Sequence, residues 1–324
     1  MSKNKQYAGI DMSKDVFDVS YPDGSHKTFE NDKQGFRSFI QSLSGEVHCV
    51  MENTGRYHQP LACYLYDHCL DVSVMNALVI KRFIQMRLKV TKTDKADAKM
   101  IREYAEWDSP ELWEPPSEYI TQCKNLRGLV ALLVKQRTAL KNQLHSLKNS
   151  GSSHKLPQQV INRQIKSLDQ EIDGLESEML LLVKACDGDL LSRLGSIPGM
   201  GRKTAMAMIV ATDGFRNFTN SKQLISYFGL SPMIWLSGTS IRGRSRISKS
   251  GDKDVRNLLF MCSFTAYKHN RACAELYDRI VNKGKSKKLA LIAVSNKLLK
   301  QAFAISQNGL TYDENYRSKN PGIN

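Results

Sequence analysis

The 324-residue sequence predicts a mixed α/β domain at its N-terminus and a mainly α-helical remainder. Three observations carry this prediction. Short strand patterns alternate with helical ones up to about residue 114, as in a sheet covered by helices. From residue 118 to about 148, and again from about 157 to 182, apolar residues recur at helical spacing, as on two long amphipathic helices. Beyond them, Ile197-Pro198-Gly199-Met200-Gly201 is a glycine-hinged turn between two further helical patterns.

Taken in order, residues 7–14 read as a strand that carries Asp11, and residues 16–21 alternate apolar with polar like a half-buried strand. Pro22-Asp23-Gly24-Ser25 is a turn. Residues 27–30 then complete an antiparallel meander whose first strand delivers Asp11. A helix is expected around residues 34–40, and a buried strand over 47–52 that ends on Glu52. Residues 53–57 should start a helix with Pro60 in its first turn, and 72–75 form a further strand. Next comes Thr93-Asp94-Lys95-Ala96-Asp97-Ala98, the start of a helix that runs past Tyr104.

Asp94 and Asp97 are three residues apart, so a helix puts them on one face. Like charges held together repel, and a divalent cation offsets that repulsion well. The plain alternative is a solvated helix start, where the helix dipole favours acids. Asp11 as a strand-end turn former and Glu52 as a helix-start acid are equally plain. Four such acids brought to one point suit two-metal phosphodiester chemistry, in which ions roughly 3.5–4 Å apart stabilise the attacking and leaving oxygens.

The formal net charge is +15 and the pI about 9.4. That excess points to a polyanionic partner, nucleic acid before an acidic membrane surface. No apolar run of the length of a spanning helix is expected, nor a signal peptide. Seven cysteines without CxxC pairs fit free thiols in a reducing cytosol and argue against a zinc or disulfide framework.

Pro115-Pro116 marks a break. The two long helical patterns, joined by Ser/Gly-rich residues 149–153, predict an antiparallel arm over 115–186, a device for assembly or an ordinary helical subdomain. The Ile-Pro-Gly-x-Gly turn resembles a helix-hairpin-helix, with Arg202 and Lys203 adding charge where backbone N–H groups meet a phosphate. The alternative is a tight turn between packed helices. Residues 234–251 are rich in Ser, Gly and basic side chains, with Ser237, Ser240, Arg242, Arg244, Arg246 and Lys249, and lead to Arg256 on a helix. A hydroxyl among arginines suits attack on a phosphate. A basic nucleic-acid-binding loop without chemistry is the commoner case. A last basic helix follows residues 283–288, and the chain after Gly309 reads as a flexible tail.

Six markers in order resemble one family. They are Gly9-Ile10-Asp11-x-Ser13-Lys14, Glu52-x-Thr54-Gly55-x-Tyr57, Lys92-Thr93-Asp94-x-x-Asp97-Ala98, Ile197-Pro198-Gly199-x-Gly201, Tyr227-x-Gly229-Leu230-x-Pro232, and Ser237-Gly238 followed by Ile247-x-Lys249-x-Gly251 and Arg256. The chain resembles the DEDD transposases of the bridge-RNA-guided insertion-sequence recombinases, related to the Piv DNA invertase. The resemblance implies a RuvC-like, RNase H-type domain over 1–114, with Asp11, Glu52, Asp94 and Asp97 binding Mg²⁺. It implies a coiled-coil arm, and then a transposase domain over 187–310 whose serine links covalently to DNA. Ser237 matches that serine because Gly238 follows it, and Ser240 is the second choice. Trp235-Leu236 before it, and Asp252 where asparagine is common, depart from the pattern. The family further implies a structured noncoding guide RNA, donor and target DNA, and dimers that assemble into a tetramer; with the free thiols, a cytoplasmic, nucleoid-associated protein is expected. With acids and serine on separate domains, a composite site from two protomers would forbid cutting by a monomer. A junction nuclease using metal-activated water, without Ser237, is the rival enzyme. A binding protein without chemistry is the rival outside enzymes.

Overall fold

The computed structural model describes residues 6–53, 55–88, 93–149, 155–233, 236–237, 241–242 and 246–315. The chain divides into two compact units, Met1–Pro115 and Pro116–Asn324.

The first unit is a five-stranded mixed sheet between helical layers. β1 (Gln6–Met12), β2 (Val16–Ser20) and β3 (His26–Glu30) form the antiparallel meander, and α1 (Lys33–Ser42) follows. β4 (Val47–Glu52), α2 (Gln59–Asp67), β5 (Val72–Met75), α3 (Ala77–Met86) and α4 (Asp94–Asp108) complete the unit. The strand order is β3-β2-β1-β4-β5, with β1, β4 and β5 mutually parallel.

Alternation along the strands sorts the two faces. Ile10, Met12, Phe17, Val19 and Met51 face the cluster completed by Phe36, Phe39, Leu61 and Leu65 of α1 and α2. Tyr7 and Val50 face Ile80, Phe83, Ile101 and Tyr104 of α3 and α4. The helix expected to start at residues 53–57 does not start there: Gly55 stands at φ 57°, and Asn53, Arg56 and Tyr57 also precede the helix. Helix α2 starts only at Gln59, with Pro60 in its first turn as expected.

The second unit is helical. α5 (Glu118–Asn149) packs along α6 (Lys155–Gly195), which bends at Asp187, where φ is −132°. Then follow α7 (Arg202–Thr212), α8 (Ser221–Tyr227), the two-residue strands β6 (Pro232–Met233), β7 (Leu236–Ser237), β8 (Ile241–Arg242) and β9 (Arg246–Ile247), and α9 (Lys253–His269), α10 (Arg271–Asn282) and α11 (Lys287–Asn308). Among the described residues α11 is the one helix long and apolar enough to cross a membrane, against the expectation of none. It is a core helix instead: Val294, Leu298, Leu299 and Ala302 are fully buried in the unit's hydrophobic cluster. The chain beyond Gly309, expected to be loose, is tied down at Tyr312, whose N–H donates to Ser196 Oγ (2.9 Å) and whose hydroxyl donates to Asn270 Oδ1 (3.1 Å).

The glycines of two markers in this unit are demanded by packing. Gly229 (φ 68°) and Gly251 (φ 80°) lie where two backbone segments touch. A Cβ on Gly229 would stand 1.9 Å from the Ser250 carbonyl oxygen, and one on Gly251 would stand 1.8 Å from that of Tyr227. Both residues also hold left-handed φ values that a side chain disfavours. We therefore expect Gly251→Ala to lose at least about 2 kcal/mol of stability. Thermal or urea melting of the variant checks this; a wild-type midpoint would contradict it.

Candidate active site

Gly9 explains how the acids meet. It faces α4 so closely that a Cβ there would lie 2.2 Å from the Ala98 carbonyl oxygen and 2.3 Å from the Arg102 nitrogen. The missing side chain lets α4 settle directly on β1. Asp11, two residues further along β1, points to the same face. The first turn of α4, with Asp94 and Asp97, therefore approaches it. That turn is fixed by Thr93, the N-cap, whose Oγ1 accepts from the Ala96 N–H (3.1 Å).

The sheet supplies two more acids beside Asp11. β1 and β4 run in parallel with Ile10 opposite Met51, so one residue further Asp11 lies beside Glu52. On its other side Asp11 pairs with Asp18 of β2. Asp18, Asp11 and Glu52 thus form a row across three neighbouring strands, at the usual strand spacing of about 4.8 Å. Asp18 is buried, and it accepts from Thr28 Oγ1 (2.7 Å) and pairs with His26 Nε2 (2.8 Å). It is the site acid that sequence reasoning missed. Its signal was available only in the strand register, because along the chain Asp18 reads as an ordinary polar residue in an alternating strand. Arg102 borders the same face and donates from Nε to Ser20 Oγ (3.2 Å).

The electrostatics record this crowding. Burial first, then the Glu52, Asp97 and Asp94 carboxylates, and last Asp18, push the Asp11 carboxyl up to about 7 from its ordinary 3.8. Among the described residues, no three His, Cys, Asp or Glu side chains close tightly enough on one point to hold an ion in this conformation. The four acids share a field rather than a finished coordination sphere. The donor chemistry nevertheless fits a hard divalent cation: the groups are all carboxylate oxygens, and a cation would reverse the repulsion that now favours the neutral acid.

A pH test follows, with its sign fixed by the shift. Asp11 loses its proton at about 3.8 when unfolded, but holds it to about 7 when folded. Its cost to stability is therefore absent below 3.8, grows as pH rises through that window, and is complete above 7. In chelator, Asp11→Asn should melt above wild type at pH about 8, and the gap should close towards pH about 4. An equal gap at both pH values would contradict the crowded site.

The other predicted residues fall in the second unit. Ser237 lies on β7, paired with Ile241 of β8, and Arg242 pairs with Leu236. Both are described by their backbone alone, and Ser240 and Arg244 lie outside the described residues. Arg246 is exposed and pairs through β9 with Met233. Lys249 is exposed at φ 58°. Arg256 Nη1 donates to the carbonyls of Phe228 (2.9 Å), Ser250 (3.0 Å) and Gly251 (3.4 Å), so that nitrogen clasps the two glycine segments together. Asp252, the departure noted above, caps α9 by accepting from the Asp254 and Val255 N–H groups and pairs with Arg127 (2.6 Å). Arg202 and Lys203 open α7 on its exposed side, and Lys203 is ion-paired with Glu176. Gly199 (φ 95°) is required by packing, since a Cβ would lie 2.6 Å from the Ala266 backbone, whereas Gly201 meets nothing within 4 Å.

Comparison with known proteins joins the two halves. Residues 8–149 match a DEDD-type family model described as transposase, and residues 191–278 match the transposase IS116/IS110/IS902 family. The pilin gene-inverting protein of Moraxella bovis is 32% identical over 325 residues, covering 96% of this chain and 98% of that protein. The transposase of insertion sequence element IS1328 from Yersinia enterocolitica is 23% identical over 96% of this chain and 99% of its own length. The transposase of element IS1111A from Coxiella burnetii is 24% identical over 97% and 92%. A relative this similar from end to end, with both family models matched in order, shows that the chain belongs to the IS110 family of transposases.

Proposed function

We propose that the chain, an enzyme of DNA recombination by its family, cuts and rejoins DNA through a serine–DNA link, with Mg²⁺ held by Asp11, Glu52, Asp94 and Asp97. The observation that carries the metal site is that Asp11 on β1 stands beside Glu52 and under the first turn of α4 with Asp94 and Asp97, so that burial first and then the charges of those three acids raise its carboxyl to about 7. In a protein of net charge +15, such a concentration of negative charge serves a cation brought to a phosphate. Bound there, the ion would act as a Lewis acid on phosphate oxygens.

The chain's own residues do the rest. Ser237 Oγ attacks the phosphorus and loses its proton, while the bond from phosphorus to the departing strand's oxygen breaks and that oxygen gains a proton. One phosphoester replaces another, so rejoining needs no nucleotide cofactor. Arg242, Arg244, Arg246 and Lys249 hold the phosphate and offset the charge that builds in the transition state. Arg256, with one nitrogen committed to carbonyls, offers its remaining donors. Arg202 and Lys203, at the helix-hairpin-helix-like turn before α7, position the DNA backbone without reading sequence.

The remaining parts of the proposal rest on the family resemblance. The first unit is the RuvC-like domain (1–114), α5 and most of α6 form a coiled-coil arm (115–186), the transposase domain spans 187–310, and 311–324 form a tail. The arm leaves Leu129 and Leu132 44% and 51% exposed, which supports pairing with a second copy on the way to a tetramer. A structured noncoding RNA guides the choice of donor and target DNA in the cytoplasm. The test is recombination in vitro with guide RNA and both DNAs. Joined product is expected with Mg²⁺ and none in EDTA; product at the same rate in EDTA would remove the divalent ion from the reaction.

A further inference from the structure

The second unit holds a groove of about 1550 Å³ that the reaction above leaves largely unused. One wall is the β6–β9 pair and the start of α9, with Arg246, Lys249 and Arg256; the other is α10 and α11, with Arg279, Lys288, Lys297 and Lys300. Among the described residues its lining has eight Lys or Arg side chains and one acid, Glu275. That acid is already paired with Arg271 (3.1 Å). None of Arg279, Lys288, Lys297 and Lys300 pairs with a carboxylate among the described residues. The lining is apolar between these charges, with Phe260 of α9, Leu276 of α10, and Leu289 and Ile292 of α11.

Placement of the lysines argues for an anion. Lys287 and Lys288 follow the Ser286 N-cap in the first turn of α11, and no acid accompanies them. The helix dipole disfavours cations there, and a negative partner would relieve that cost. The four cations of this wall, Arg279, Lys288, Lys297 and Lys300, lie beyond residue 278, where the second family match ends.

The groove is also tied to Ser237. The loop that carries Ser237 leaves the β6–β9 pair at Met233 and returns at Arg246, which are partners in that pair. Pro232 and Arg246 of the same pair line the groove. We infer that the groove holds a single strand of DNA, the one continuing from the phosphate that Ser237 takes; this rests on the Ser237 mechanism proposed above. The cationic side chains track the phosphates, and the apolar lining with Phe260 receives base faces. A duplex would offer the walls its phosphates but keep its base faces stacked inside.

The test uses full-length Lys288→Gln/Lys297→Gln/Lys300→Gln. Binding of a short single-stranded DNA, and of an RNA of the same sequence, is followed by fluorescence anisotropy across a salt series. DNA affinity should fall about tenfold, and the slope of log affinity against log salt should flatten by about 2, as three lost contacts at about 0.7 each require. RNA binding should change less. If the triple variant melts below wild type, Lys300→Gln alone, at an exposed position, should flatten the slope by about 0.7. Unchanged DNA affinity and slope would overturn the inference, and so would a loss confined to RNA. Ser237→Ala, measured alongside, should bind DNA like wild type. If wild type forms its link at Ser237 while the triple variant binds normally, the groove inference falls and the serine mechanism stands. If the triple variant loses DNA but wild type forms no link, the groove remains a DNA site and the serine mechanism falls.

Discussion

Asp11→Ala should lower recombination by about 10²- to 10³-fold or further, because it removes the carboxylate at the centre of the acid row and with it a ligand of the cation that would stabilise the charge building on the phosphate. Glu52→Ala, Asp94→Ala and Asp97→Ala should each do the same while leaving RNA binding largely intact. The four positions are not equal in structure. Asp11 is half-buried on β1 and flanked on both sides by acids, whereas Asp94 is exposed at the start of α4. Asp94→Ala should therefore fold as well as wild type, and its loss of activity would report chemistry alone. A joining assay on matched protein amounts, with melting curves as the folding control, separates the two effects. Normal recombination by any two of the four variants in Mg²⁺ would end the assignment.

Ser237→Ala should lose all strand exchange, because alanine has no oxygen with which to form the link. The same variant should still assemble on RNA and DNA, since one hydroxyl contributes little to packing. The nuclease alternative gives the opposite outcome. Water would then attack, the acids would suffice, and Ser237→Ala would cut at the wild-type rate.

Much of the first unit was legible because its strands obey simple alternation. Val47–Glu52 and Val72–Met75 coincide with the expected strands, and the antiparallel meander delivers Asp11 as anticipated. The two long helices were legible from spacing alone. Helices α3 and α10 were not anticipated. Each is short, and tertiary packing makes the helix: Ile80 and Phe83 bury against α4, and Cys273 is buried on α10.

What the chain order conceals is register and close approach. That Gly9 matters for seating α4, rather than for a turn, follows only from the space it leaves. That Asp18 stands beside Asp11 follows only from strand pairing. Arg256 reads as a phosphate ligand in a basic stretch, yet one of its nitrogens serves three carbonyls of its own unit. The lysines of α11 read only as part of a last basic helix, yet Lys288, Lys297 and Lys300 line one groove with Arg246 and Lys249.

The most direct test of the central claim is to trap and map the DNA-linked species. Wild-type protein with guide RNA, Mg²⁺ and target DNA is stopped in SDS, digested with protease and nuclease, and sequenced by mass spectrometry. The account predicts a nucleotide remnant on the peptide that contains Ser237, absent from Ser237→Ala and from Asp11→Ala. A remnant on Ser240 would move the nucleophile within the same loop. Cut DNA with no protein-linked species at any time point would contradict the serine mechanism and assign the cut to water.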